Sequence, residues 1–274
     1  MPLCKTNAVI LGGRRFGDSS KIISAYTALF GKVHLLAKGA LAPKSKFLSA
    51  LETFSESELV FYHKTTTELH LLSQATLLKS HLRLADKAEI FPFAAAACEI
   101  TDEWIKGEDQ NPAYFQLLTG FLNRLEALVD PERSRRGEDP ERSRGAFLFW
   151  LFVYYGASIL GFRPNLEACF RCGKKENKKS YLFHPEKGGL VCAEDARESE
   201  RYLKVSAELK NLAQTLAHSD FDSASNLEAP PSDASGQAKL VKELSEFLKD
   251  FLLVQGVWKE VPKSLELQKS RPSN

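Results

Sequence analysis

The residues best suited to chemistry gather in one stretch, CFRCGKKENKKSYLFHPEKGGLVCAED, residues 169–195. Cys169-x-x-Cys172 is followed, after 19 intervening residues, by Cys192, and a second Cys-x-x-Cys turn would put a fourth cysteine at position 195, which holds Asp195. Two such turns present four ligands to one ion, the spacing of a structural zinc knuckle. A carboxylate oxygen reaches zinc at about 2.0–2.2 Å and is an anion as a thiolate is. It is harder than sulfur, so the expected affinity falls below that of four cysteines. Lys174, Lys175, Lys178 and Lys179 make the intervening run turn-like, and Gly188-Gly189 permits a tight return. Three outcomes stay open: one weakly held structural zinc on Cys169, Cys172, Cys192 and Asp195, an empty but packed knuckle, and a site completed by His184. A redox dithiol at Cys169 and Cys172 is a rival, but the sequence before it does not supply a β-α-β setting. Three buried thiols are the other.

No catalytic motif accompanies this stretch. There is no phosphate-binding loop, no G-x-S-x-G and no H-E-x-x-H. Gly12-Gly13 lacks the rest of a dinucleotide fingerprint, and the six histidines are scattered. The chain reads as a non-enzyme. A nucleic-acid-processing enzyme is the alternative, and it would need carboxylate pairs or a nucleotide-binding lysine motif. A purely protein-binding adaptor is the third class, and it leaves the charge pattern unexplained.

That pattern is an asymmetry hidden in a net charge of +2. Residues 1–50 hold eight basic residues (Lys5, Arg14, Arg15, Lys21, Lys32, Lys38, Lys44, Lys46) against Asp18 alone, or +7. Residues 51–80 sum to −2, so the rest of the chain carries −3. Such a block points to a polyanion, and Arg14, Arg15, Lys21, Lys32, Lys38, Lys44 and Lys46 are the candidate nucleic-acid contacts. Phe16, Tyr26, Phe30 and Phe47 either stack on bases or fill a core.

The elements that must position these residues follow from periodicity. Lys5–Leu11, ended by Gly12-Gly13, then Lys21–Tyr26, 32–37, Ser57–Tyr62 and Glu68–Gln74 read as five short strands. The last two form a hairpin around Lys64–Thr66. Five strands of this length fit an oligonucleotide-binding (OB) barrel. From about His81 the period becomes helical. Asn111 caps a helix that starts at Pro112 and buries Phe115, Leu118, Phe121, Leu122, Leu125 and Leu128. Leu240, Leu244, Phe247, Leu248, Phe251 and Leu252 form a second stripe. The 18 uncharged residues 145–162 are at the lower edge for a membrane span but include Tyr154, Tyr155, Gly156 and Ser158, and they read as a core helix. DPERSR occurs twice within 130–145, which reads as a surface loop, and His218–Ser235 reads as a flexible connection. Five cysteines and no signal-peptide pattern at the start suggest a reducing cytosol.

Several stretches together resemble one family, the RecO mediators of bacterial recombinational repair. FGDSSKIISAYTALFGKVHLLAKGA (16–40), LSALETF (48–54) and YYGASILGFRPNLEACFRCG (154–173) are similar to its motifs in order and spacing, followed by Phe183, Gly188-Gly189 and Cys192. The resemblance spans nearly the whole chain. Two positions depart from it: Leu41 replaces a basic residue, and Asp195 replaces the fourth cysteine. The resemblance implies an α+β multidomain chain: an N-terminal OB-fold barrel (1–80) and a helical domain (81–165 and 199–260) carrying a zinc-knuckle-like insertion (166–198); the residues of the tail, 261–274, read as disordered. It implies binding to single- and double-stranded DNA, strand annealing, and partnership with RecR and the C-terminal tail of single-strand binding protein. It places the chain in the cytoplasm at the nucleoid, away from membrane.

Overall fold

The computed structural model describes residues 2–129, 140–175, 178–227 and 234–266. Its first half is a closed five-stranded barrel in the order β1-β2-β3-β5-β4. The strands are β1 (Leu3–Phe16), β2 (Ser20–Thr27), β3 (Gly31–Ala37), β4 (Glu56–Tyr62) and β5 (Leu69–Lys79). β3 and β5 pair in parallel and the other pairs are antiparallel. This is the expected OB-type barrel. Closure gives the body of the barrel no open edge, although Gly12–Phe16 of β1 run on beyond its pairing with β4. Alternate residues point inward, and Ala8, Ile10, Ile23, Ala25, Val33, Leu35, Leu59, Phe61 and Leu72 fill the interior with Phe47 and Leu51.

One boundary differs. β1 does not end at Gly12-Gly13 but continues through both to Phe16. Its register against β2 slips between Ile10 and Gly12. Gly13 is needed for space, because a Cβ there would lie 2.8 Å from the Lys21 side chain. The Lys21 stem passes through that gap, and its ammonium donates to the Leu51 carbonyl. A glycine pair that looks like a strand stop is here a bulge and a crossing point.

Helices α1 (Arg83–Asp86), α2 (Phe91–Trp104) and α3 (Pro112–Leu128) follow. The Asn111 side chain caps α3 by accepting from the Tyr114 N–H, and Leu118, Phe121, Leu122, Leu125 and Leu128 are buried as the stripe predicts, while Phe115 is only half-buried and Tyr114 and Leu117 are buried beside the stripe. His81, fully buried, lies between Glu56 of β4 and Glu126 of α3, at 3.0 and 2.9 Å.

α4 (Pro140–Ile159) begins inside the stretch expected to be a loop; residues 130–139, with the first DPERSR copy, lie outside the described residues. Phe147–Tyr154 are all buried, as a core helix requires, and among the described residues no helix is long and apolar enough to cross a membrane. Next comes a sheet the sequence did not announce, β6 (Asn165–Cys169), β7 (Ser180–His184), β8 (Gly189–Val191) and β9 (Leu203–Ser206), ordered β6-β8-β7-β9. Its Phe183 ring meets Phe247 and Phe251 of α7 (Ala234–Val254) edge-on, with centroids 4.9 and 5.5 Å apart.

The connection expected over 218–235 is partly ordered. Asp220 caps the short helix α6 (Phe221–Ser225), which buries Phe221, after α5 (Ala207–Ala217); residues 228–233 lie outside the description. The tail expected from 261 starts with helix α8 (Lys263–Glu266), whose Ser264 and Leu265 are buried and whose Ser264 hydroxyl bonds Glu99. The contacts divide the chain into two compact units, Met1–Gly145 with Pro262–Asn274, and Ala146–Val261.

Candidate nucleic-acid surface and metal centre

The cationic surface lies where the β1–β2 hairpin meets the loop after β3. The Leu41 N–H donates to the Ser19 carbonyl at 2.8 Å and joins the two. Arg14, Arg15, Lys38, Lys44 and Lys46 are exposed there. Among the described residues the first four make no ion pair or side-chain hydrogen bond, while Lys46 donates to the Ser73 carbonyl at 2.6 Å. The other two candidates turn inward. Lys21 reaches Leu51 and lies 3.8 Å from Glu52. Lys32 donates to the Asp102 carbonyl and lies 3.5 Å from its carboxylate. Of the four candidate aromatics, Tyr26 is buried against Tyr114, Phe30 packs on Phe61 and Phe47 is in the barrel core, whereas Phe16 is exposed.

The metal centre is built by strand direction. β6 and β8 run parallel, so the turns at their C-terminal ends emerge side by side. The turn after β6 is closed by Gly173 N–H to the Cys169 carbonyl and by Cys169 N–H to the Lys174 carbonyl. In the turn after β8 the N–H groups of Asp195 and Ala196 both donate to the Cys192 carbonyl. Cys169, Cys172, Cys192 and Asp195 thereby bring four ligand atoms within 4.8 Å of one another. Cys172 and Cys192 sulfurs are 3.7 Å apart, and Asp195 Oδ2 is 3.3 and 3.2 Å from Cys169 and Cys192. Tetrahedral zinc with bonds of about 2.3 Å to sulfur and about 2.1 Å to oxygen requires edges of about 3.8 and 3.5 Å. The residues fit the ion. His184 is not among the cluster; its ring sits between Phe170 and Tyr202.

The electrostatics follow from crowding one carboxylate among three thiols. Hydrogen bonds from Cys172, Cys192 and Cys169 hold the Asp195 carboxyl below its ordinary range. The same bond to Asp195 pushes the Cys172 thiol up to about 12. Burial and then Asp195 raise Cys192. Burial also raises Cys169, but the backbone N–H groups of Cys192, Cys172 and Arg171 outweigh it and leave that thiol lowered. A bound cation would relieve this frustration, held by all four groups as anions.

Arg171, inside the Cys-x-x-Cys turn, was not singled out by the sequence. Its guanidinium donates to the Asp195 carbonyl and, at 2.6 Å to each oxygen, to the Glu200 carboxylate. Tyr202 donates to the same carboxylate at 2.6 Å. Arg171 thus ties the first turn to the second and positions Asp195. Only its spacing from Cys169 and Cys172 could have hinted at this.

A second cluster was also missed. His63 and His70 each place Nε2 at 2.7 Å from a different oxygen of Glu108. The Lys64 N–H donates to His70 Nδ1 at 3.2 Å, which assigns the His70 proton to Nε2, facing the carboxylate. A metal would need that lone pair, so the cluster is a hydrogen-bonded clamp. Burial raises the Glu108 carboxyl, but the bonds from His63 and His70 outweigh it and leave it below its ordinary value.

Comparison with known proteins gives one family. Residues 1–81 match the family model "Recombination protein O N terminal" and residues 91–255 match "Recombination protein O C terminal". The chain belongs to the RecO family. Among RecO relatives, the "DNA repair protein RecO" of Symbiobacterium thermophilum is 30% identical over 208 residues, covering 75% of this chain and 76% of that one. Its namesake in Prosthecochloris aestuarii is 28% identical over 265 residues, or 92% of this chain and 91% of that one. The one in Salinibacter ruber reaches 34% over a shorter 123 residues.

Proposed function

We propose that the chain binds DNA and anneals complementary strands in recombinational repair, and that it performs no chemistry on DNA. The observation that carries this reading is the barrel tip, where Arg14, Arg15, Lys38 and Lys44 stand exposed without carboxylate partners among the described residues. A folded surface ordinarily intersperses acids among its bases. Cations left uncompensated attract a polyanion and release its condensed counterions on binding. Membership in a family whose relatives are named DNA repair proteins supports the choice of DNA as that polyanion.

Annealing requires no catalytic group. Two complementary strands repel through their phosphates, and a surface that neutralises both removes the barrier to their meeting. The same reading takes single- and double-stranded DNA as ligands, RecR and the tail of single-strand binding protein as partners, and the cytoplasm, at the nucleoid, as location. Zinc, when bound at Cys169, Cys172, Cys192 and Asp195, is a structural cross-link, since four protein ligands leave no open position.

The test is strand annealing by the purified chain at two salt concentrations, without nucleotide or divalent metal. Faster annealing than in protein-free buffer, weaker at the higher salt, is expected. No acceleration at either salt overturns the reading, and DNA cleavage or ATP turnover that follows the protein through several columns overturns its non-enzymatic part.

A further inference from the structure

Charge does not account for everything at the barrel tip. The pairing of β1 with β4 ends at Val9 opposite Glu56, and among the described residues Gly12–Phe16 pair with β2 alone. β3 accompanies β2 only as far as Lys21 opposite Ala37. The last rung, Phe16 opposite Ser20, therefore stands past the end of the third strand as a two-stranded arm. Gly17, with φ +63°, turns the arm back, and a side chain there would meet nothing within 4 Å.

On this arm Phe16 is 48% exposed. Leu41 is 39% exposed, and its N–H bond to Ser19 sets it beside the same turn. Arg14 lies two residues from Phe16 on the same side of the pleat. A half-bare aromatic ring at the end of an arm contributes little to a core, and a surface that binds phosphates needs no ring.

We propose that Phe16, flanked by Leu41, is a base-stacking platform that makes the barrel tip prefer unpaired nucleotides to duplex. This rests on the reading of the tip as the DNA surface. Cations meet phosphates in either form of DNA. A ring face gains only where a base offers its own, and in a duplex both faces of each base are already stacked on neighbours.

The test compares three probes with the full chain at one salt: an oligothymidylate, an abasic oligonucleotide of equal length, and a duplex. The parent should bind the first more tightly than the second, which has the same phosphates and no bases. Phe16→Ala should weaken oligothymidylate binding about 5- to 150-fold, the size of one lost base stack, and leave the other two within about twofold. Phe16→Tyr should restore it. Equal binding of oligothymidylate by Phe16→Ala and the parent overturns the inference, as does an equal loss on all three probes, which would make the ring a support for the arm. The double variant Arg14→Ala, Arg15→Ala should weaken all three. If it changes none, the DNA surface itself is wrongly placed, and the failure lies there and not with the ring.

Discussion

At the scale of single residues, the knuckle turns on Asp195. Its spacing from Cys192 is legible in the sequence, and so is the prospect that it serves as a ligand. What spacing cannot carry is the support behind it. Arg171 grips the Asp195 carbonyl because β6 and β8 lie side by side, with Cys169 opposite Leu190, a pairing across the intervening β7 that no motif encodes. The protein purified without chelator should hold less zinc than an Asp195→Cys variant, which should approach one equivalent by metal analysis. Arg171→Ala should lower the zinc content of the parent more than that of the Asp195→Cys variant if its main effect is to hold a weaker ligand in place. Equal zinc in the parent and in Asp195→Cys would show that the oxygen ligand costs nothing here.

At the scale of elements, the barrel was readable because its inward residues alternate with outward ones over five strands. The β1 boundary was not, since a glycine's role depends on what crosses it. Gly13 and Gly31 illustrate two kinds of crossing. At Gly31, φ is +61° and a Cβ would lie 2.4 Å from the Asp109 carbonyl oxygen and 2.6 Å from its nitrogen. Backbone cannot step aside as a side chain can. Gly31→Ala should destabilise by about 2–4 kcal/mol, from left-handed strain plus the displaced loop. Gly13→Ala meets the far end of Lys21 at 2.8 Å and the Ile22 carbonyl oxygen less closely, at 3.2 Å, and should cost about 1 kcal/mol, near the worth of the Lys21–Leu51 hydrogen bond. Denaturant titration that ranks the two the other way would refute the distinction. The Glu108 clamp holds the loop between α2 and α3 to the barrel through His63 and His70. Because its carboxyl is lowered from the ordinary 4.5, the unfolded chain takes up that proton first as pH falls. The clamp's contribution is therefore complete above about pH 4.5 and is lost below it. The Glu108 side chain is 37% exposed, so solvent limits the effect to about 1 kcal/mol at most. Glu108→Gln should be less stable than the parent at pH 6, and the gap should close in acid.

At the scale of the whole molecule, the +7 carried by residues 1–50 does not all face outward. Composition counts Lys21 and Lys32 with the rest, but the structure engages them with Leu51, Glu52 and Asp102. A sequence cannot reveal this, because each partner lies at least 30 residues away. Five of the seven candidates remain outward: Arg14, Arg15, Lys38, Lys44 and Lys46. The salt dependence of binding measures the difference. Five phosphate contacts give a slope of log affinity on log salt of about −3.5 for a single strand and about −4.5 for duplex, whereas seven would give about −5 and about −6. Replacing Arg14, Arg15, Lys38 and Lys44 by alanine should leave a slope near −1. Lys21→Ala and Lys32→Ala should lower stability and leave the slope unchanged. A parent slope at the steeper values, flattened by those two substitutions, would mean that both lysines leave their partners to meet DNA and that the barrel rearranges on binding.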